Sequence, residues 1–160
     1  MNKPYIISID QSTQGTKALL FDETGKLVFR TDRPHEQIIN EKGWVSHNPK
    51  EIYENTLLVV ADLLEKAGVD AKDIIGAGIS NQRETTLAWD KTSGEALGEA
   101  IVWQCARATE ICGRIKNVEN HNRSEMIRNK TGIPLSPYFP AAKIAWILEN
   151  VEGAKDRATQ

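Results

Sequence analysis

The chain has 160 residues, 20 of them basic and 22 acidic, for a formal net charge of −2. Hydrophobic residues make up 40% and charged residues 26%, a globular balance that excludes a disordered chain and leaves no basic footprint for nucleic acid or an anionic membrane. The length predicts one domain, no apolar run approaches a membrane span, and the five-residue apolar stretch after Pro4 is too short for a signal peptide, so a cytoplasmic protein is expected.

In chain order, residues 5–9 form a β-rich run ending in Asp10, and residues 18–21 and 26–30 resume β character on either side of the turn signal Asp22-Glu23-Thr24-Gly25. This predicts a three-stranded antiparallel meander. Asn48-Pro49-Lys50-Glu51 reads as a helix start: Asn48 suits the N-cap, Pro49 the first helical position, and Glu51 the closing of a capping box. Apolar residues then follow a helical period to Ala67, with Gly68 as terminator. Residues 74–80 and 85–89 read as strands, the first buried on both faces. A turn at residues 90–94 leads to a strand near residues 100–103. From Cys105 the pattern is helical, with Ala108, Ile111, Cys112 and Ile115 on one face, and helices are expected at residues 124–130 and 140–150. The order of elements indicates a mixed-sheet α/β domain.

The richest stretch for chemistry is Asp10-Gln11-Ser12-Thr13-Gln14-Gly15-Thr16-Lys17. A carboxylate closing a strand suits a hydrated Mg²⁺. Turn hydroxyls and successive N–H groups suit a phosphoryl group, and Lys17 adds a point charge. A ligand-free polar hairpin would look the same, and both readings stand at this point. No P-loop is present, and Gly76-Ala77-Gly78 lacks the third glycine of a dinucleotide fingerprint; this pair is expected to permit close packing of a buried strand.

Ser80-Asn81-Gln82-Arg83-Glu84-Thr85-Thr86 is polar throughout, between two apolar runs. An Arg donor fork beside a Glu acceptor can answer neighbouring hydroxyls of a polyol. Adjacent strand residues point to opposite faces, so both reach one ligand only if the backbone bends near residues 82–84. The alternative is a solvated turn with a surface ion pair. Trp103, at a strand end, either plugs a core or lines a site, and Tyr138 lies in a Pro-rich loop that covers a pocket or simply joins two helices.

Cys105 and Cys112 would lie about 10 Å apart along a helix, beyond disulfide reach, and are expected to be buried and free. His35, His47 and His121 are isolated and show no metal-ligand spacing. The sequons at Asn122 and Asn129 carry no weight without a secretory signal.

Several blocks recur in one order: Ile9-Asp10-Gln11 with Thr13 and Lys17; Gly43-Trp44-Val45 with His47 and Pro49; Asn81-Gln82-Arg83-Glu84-Thr85-Thr86 with Trp89-Asp90. They continue with Ile101-Val102-Trp103-Gln104, Thr131-Gly132, Pro137-Tyr138-Phe139, and residues 146–148 with 150–154. Together they resemble the FGGY family of carbohydrate kinases, and within it the members that act on glycerol, across nearly the whole chain. The resemblance implies an α/β, ribonuclease-H-like (actin-like ATPase) mixed sheet with flanking helices. Residues 1–160 would then be an incomplete first domain, without the second, nucleotide-binding one.

The resemblance also implies transfer of the γ-phosphoryl group of ATP, with Mg²⁺, to a hydroxyl of a small polyol or sugar acceptor. By position, Asp10 would be the magnesium-associated carboxylate, and Thr13, Gln14 and Lys17 would lie in the phosphate loop. Arg83, Glu84 and Tyr138 would hydrogen-bond the acceptor, with Trp103 packed on its carbon backbone. No catalytic residue falls within the chain, because the family's general base and adenosine-binding segment lie downstream; the fragment alone is expected to be inactive.

Two departures from the family pattern stand out. Ser12 replaces the usual glycine of the phosphate loop, so the backbone there must avoid positive φ or accept strain. The family's Trp-Gln-Asp-Arg-Arg becomes Trp103-Gln104-Cys105-Ala106-Arg107, which removes a charged pair and leaves the acceptor defined only as a small polyol or sugar. A non-catalytic polyol-binding module and a kinase for a pentulose or tetritol are the rival readings. Homo-oligomer formation stays open.

Overall fold

The computed structural model describes residues 4–116 and 123–158. In chain order the elements are β1 (Tyr5–Gln11), β2 (Gly15–Phe21), β3 (Leu27–Pro34), β4 (Ile38–Ile39), β5 (Val45–His47), α1 (Pro49–Ala67), β6 (Ile74–Ser80), β7 (Ala100–Ile101), α2 (Thr109–Lys116), α3 (Arg123–Thr131), α4 (Pro140–Asn150) and α5 (Ala154–Arg157). A 3₁₀ turn at Ala71–Asp73 precedes β6. The chain gathers into two compact units, Met1–Glu36 with Asn48–Gln82 and Gln37–His47 with Arg83–Gln160.

In the first unit β1, β2 and β3 form the predicted antiparallel meander, and β6 joins β1 in parallel to give the order β3-β2-β1-β6. Asp22 shapes the second turn: its Oδ1 accepts from the Thr24 and Lys26 amides at 2.9 and 3.0 Å, and Gly25 takes φ 79°. Ile7, Ile9, Ala18 and Leu20 alternate onto the face that meets Val59 and Leu63 of α1. Burying such a side chain fully contributes about 1.5–3 kcal/mol, so this stripe holds the helix in place. The Asn48 side chain caps α1 by accepting from the Lys50 amide at 3.0 Å. The capping box does not close, because the Glu51 carboxylate accepts instead from the Glu36 amide at 3.1 Å.

β6 departs from expectation. It is a strand, but Ile75 is 69% and Ile79 64% exposed, and the positions where a Cβ would stand on Gly76 and Gly78 are open space. The reason is positional: α1 lies mainly over β2 and β3, while β6 forms the far edge of the sheet.

In the second unit β4, β5 and β7 form a small antiparallel sheet beside a core of Val45, Leu97, Ile101, Val102, Cys105 and Ile147. The strand expected at residues 85–89 reduces to isolated bridges, Thr86 with Ile101 and Trp89 with Ala96. A backbone reversal at Glu84 and a side-chain-closed turn at Asp90 leave too little extended chain between them.

α2 begins at Thr109 rather than Cys105, and its Ile111 and Cys112 pack with Ala108 and with Ala142 of α4 as the periodicity predicts. Both cysteines are free and buried. α3 and α4 follow the predicted helices, with Asn129 inside α3; Asn122 and His121 lie outside the described residues. Among the described residues no helix is long and apolar enough to cross a membrane.

Candidate functional site

The candidate residues form two clusters, one in each unit. In the first, Asp10 of β1 stands directly opposite Lys17 of β2, with Nζ 3.6 Å from Oδ2 and both side chains part-exposed. Between them the chain turns tightly: the Ser12 amide and hydroxyl both donate to the Gly15 carbonyl at 2.9 Å. Ser12 avoids positive φ, as its substitution for glycine requires. Gly15 carries the steric demand instead, since a Cβ there would stand 2.3 Å from the Arg33 carbonyl oxygen. Thr13 is half-buried and Gln14 exposed at the tip. The Gln14 carbonyl accepts from the His35 amide at 3.0 Å.

A buried network that the sequence did not reveal supports this hairpin. The fully buried Thr16 hydroxyl lies 2.9 Å from His35 Nε2, and Asn55 Nδ2 lies 3.2 Å from His35 Nδ1 and 2.9 Å from the Pro34 carbonyl. Both ring nitrogens of His35 are thus within hydrogen-bond distance of a side chain, one on β2 and one on α1. Gln11 adds a tie to α1 through Thr56 at 2.8 Å.

Among the described residues no group of three or more His, Cys, Asp or Glu gathers to hold a bare metal ion. A single part-exposed carboxylate does fit Mg²⁺ that arrives with phosphate oxygens and waters, because magnesium commonly takes one or two carboxylates and keeps the rest of that shell.

The second cluster centres on a bend. Glu84 adopts φ 61°, the one non-glycine residue with positive φ among those described, and it lies within the stretch where two adjacent side chains needed a bend to serve one ligand. Such a conformation costs on the order of 1–3 kcal/mol and persists only where neighbours hold it. Here the Glu84 carbonyl accepts from Lys143 Nζ at 3.0 Å and from the Thr86 hydroxyl at 3.5 Å. The same Lys143 ammonium donates to the Tyr138 carbonyl. The Tyr138 ring meets Trp103 edge-on, with centroids 5.8 Å apart, and meets Phe139 at 5.1 Å. Trp103 and Tyr138 are 36% and 42% exposed, so Trp103 is not a core plug. Arg83 is exposed beside Glu84.

Lys143, by contrast, is completely buried, and burial pushes its ammonium below the ordinary lysine range, opposed in part by the Glu84 carboxylate and by Cys105. The sequence signal for it was a lone lysine on the apolar face of α4, between Ala142 and Ile147.

The altered Cys105-Ala106-Arg107 stretch has its own arrangement. The Arg107 guanidinium lies 5.2 Å from the Trp44 ring centre and 5.0 Å from that of Trp146. It donates to Ser46 Oγ at 2.5 Å and to the Cys105 sulfur at 3.1 Å. Two indole rings, a hydroxyl and a sulfur thus hold a guanidinium for which no carboxylate partner is at hand at residues 105–106.

Residues 5–160 match the N-terminal domain of the FGGY family of carbohydrate kinases, and the chain belongs to that family. Glycerol kinase 1 of Thermotoga maritima is 46% identical over 156 residues, covering 98% of this chain and 31% of its own length. The glycerol kinase of Halothermothrix orenii is 44% identical over 158 residues, again with 31% of its own length covered.

Among solved structures, Plasmodium falciparum glycerol kinase with ADP superposes with a TM-score of 0.80 at 35% identity, covering 96% of this chain and 30% of that one. Gluconate kinase from Lactobacillus acidophilus gives 0.85 at 28% identity, covering 98% and 30%. The fold is thus the actin-like ATPase fold of these kinases, with a mixed sheet and flanking helices. The chain spans about a third of the length of the relatives it matches.

Proposed function

We propose that this chain provides the phosphate-facing hairpin and the acceptor pocket of an ATP-dependent kinase for glycerol or a closely similar polyol. The observation that carries the reading is that one buried ammonium joins Glu84 and Tyr138, with Trp103 edge-on to the Tyr138 ring. Glu84 would accept from acceptor hydroxyls, the exposed Arg83 and the Tyr138 phenol would donate to them, and the Trp103 face would cover the carbon chain. The names of the relatives favour glycerol, while gluconate and xylulose kinases among the structural neighbours keep related acceptors in view.

On the hairpin, Lys17 and the turn amides would meet the anionic oxygens of ATP. Asp10 would hold the Mg²⁺ that comes with ATP, an ion that when bound neutralises charge on the transferred phosphoryl group. Thr13 and Gln14, at the tip, would complete the phosphate loop. Dependence on ATP fits a cytoplasmic setting.

Isothermal calorimetry tests the acceptor role. Glycerol should give a saturable heat with the 160-residue chain, and Glu84→Ala should abolish it. A flat titration at millimolar glycerol with correctly folded protein refutes the reading.

A further inference from the structure

We propose that Lys143 is a positioning residue for the acceptor site: one buried ammonium that fixes Glu84 and Tyr138 relative to each other. Its functional consequence rests on the acceptor reading given above.

Three observations carry the inference. Lys143 has 0% of its surface exposed, although a lysine is almost never fully buried unless paired. Its Nζ donates to the backbone carbonyls of Glu84, 59 residues away in sequence, and of Tyr138. Those are two of the residues read as touching the acceptor. Finally, Glu84 is held at φ 61°, a backbone state that a glutamate leaves unless something pins it.

A charge-assisted bond to the Glu84 carbonyl supplies that pin. Its companion bond to the Tyr138 carbonyl sets the loop that carries the phenol against Trp103. The ammonium also lies 5.9 Å from the centre of the Tyr138 ring, a further electrostatic tie to the same residue. Without the ammonium, Glu84 is expected to relax toward negative φ and turn its carboxylate away, while the Tyr138 loop loses its anchor. Two hydrogen bonds to a charged group then translate into an acceptor affinity weaker by about tenfold or more.

The test uses nuclear magnetic resonance on the isotope-labelled 160-residue chain, with glycerol as the probe. In Lys143→Met the ring-to-ring contact between Trp103 and Tyr138 should disappear. The separate contact between Trp44 and Trp146, with centroids 5.4 Å apart, should persist and report intact folding. Persistence of both contacts overturns the proposal.

Should Lys143→Met fail to fold, the unmodified chain decides. The Lys143 Nζ protons should exchange slowly with water and shift as glycerol is added. Rapid exchange, or a Lys143 signal that stays fixed while the Trp103 indole responds, overturns the proposal. If neither Lys143 nor Trp103 responds to glycerol, the acceptor reading fails, and the exchange rate of the Lys143 Nζ protons alone decides: slow exchange upholds Lys143 as the tie between Glu84 and Tyr138, and rapid exchange overturns it.

Discussion

Single residues carry most of what distinguishes this chain, and Glu84 shows how far residue type alone can be read. A donor fork next to a carboxylate demanded a bend if both were to serve one ligand, and the bend is present at φ 61°. Lys143 was not legible in the same way. Its importance lies in contacts made across 59 residues, and local spacing carries no trace of such a contact beyond a charge placed on an apolar stripe.

Asp90 gives a prediction at this scale. The Arg157 guanidinium beside it, at 2.7 Å, and the Ser93 and Thr92 amides lower its carboxyl from 3.8 to about 2. A carboxylate depressed in the folded state contributes stability that is fully present above its unfolded value and is lost as pH falls through its folded one. The thermal midpoint should therefore decline between pH 3.8 and about 2, and Asp90→Asn should flatten that part of the profile. An unchanged slope in Asp90→Asn would show that other carboxylates control acid unfolding.

Among the elements, those with strong local signals were legible and those set by long-range packing were not. The N-cap, first-position proline and C-terminal glycine marked α1 at both ends, and the turn around Asp22 fixed the meander. The burial of β6 was not readable, because an apolar strand looks the same whether or not another element covers it, and α1 lies elsewhere. The same limit explains why residues 85–89 read as a strand: a run of β-forming residues does not reveal the positive φ at Glu84 that precedes it.

Two substitutions test the element-level account. Gly15→Ala would drive a Cβ to 2.3 Å from the Arg33 carbonyl, so it should separate β2 from β3 at a cost of about 1–3 kcal/mol in urea unfolding. Asn48→Ala removes the side-chain acceptor that caps α1 and should cost about 1 kcal/mol. A Gly15→Ala variant as stable as the parent would mean the hairpin has slack that the strand register does not suggest.

On the scale of the whole molecule, the chain spans about a third of the length of its relatives, and the residues proposed to meet acceptor and phosphate all lie within it. Phosphoryl transfer is almost entirely positioning and charge stabilisation, and it needs the adenosine contacts and a base as well as these residues. A polypeptide of these 160 residues should therefore bind a polyol without releasing ADP from ATP in a coupled assay; steady glycerol-dependent ADP release, with host kinase excluded, would contradict this.

The most direct test is a residue-resolved glycerol titration of the chain by nuclear magnetic resonance. The account predicts saturable shifts at the Glu84 and Tyr138 amides and the Trp103 indole, with a neutral one-hydroxyl alcohol of similar size having far less effect. Glycerol that moves none of these signals at about 10 mM, tenfold above a Kd of about 1 mM, would contradict it.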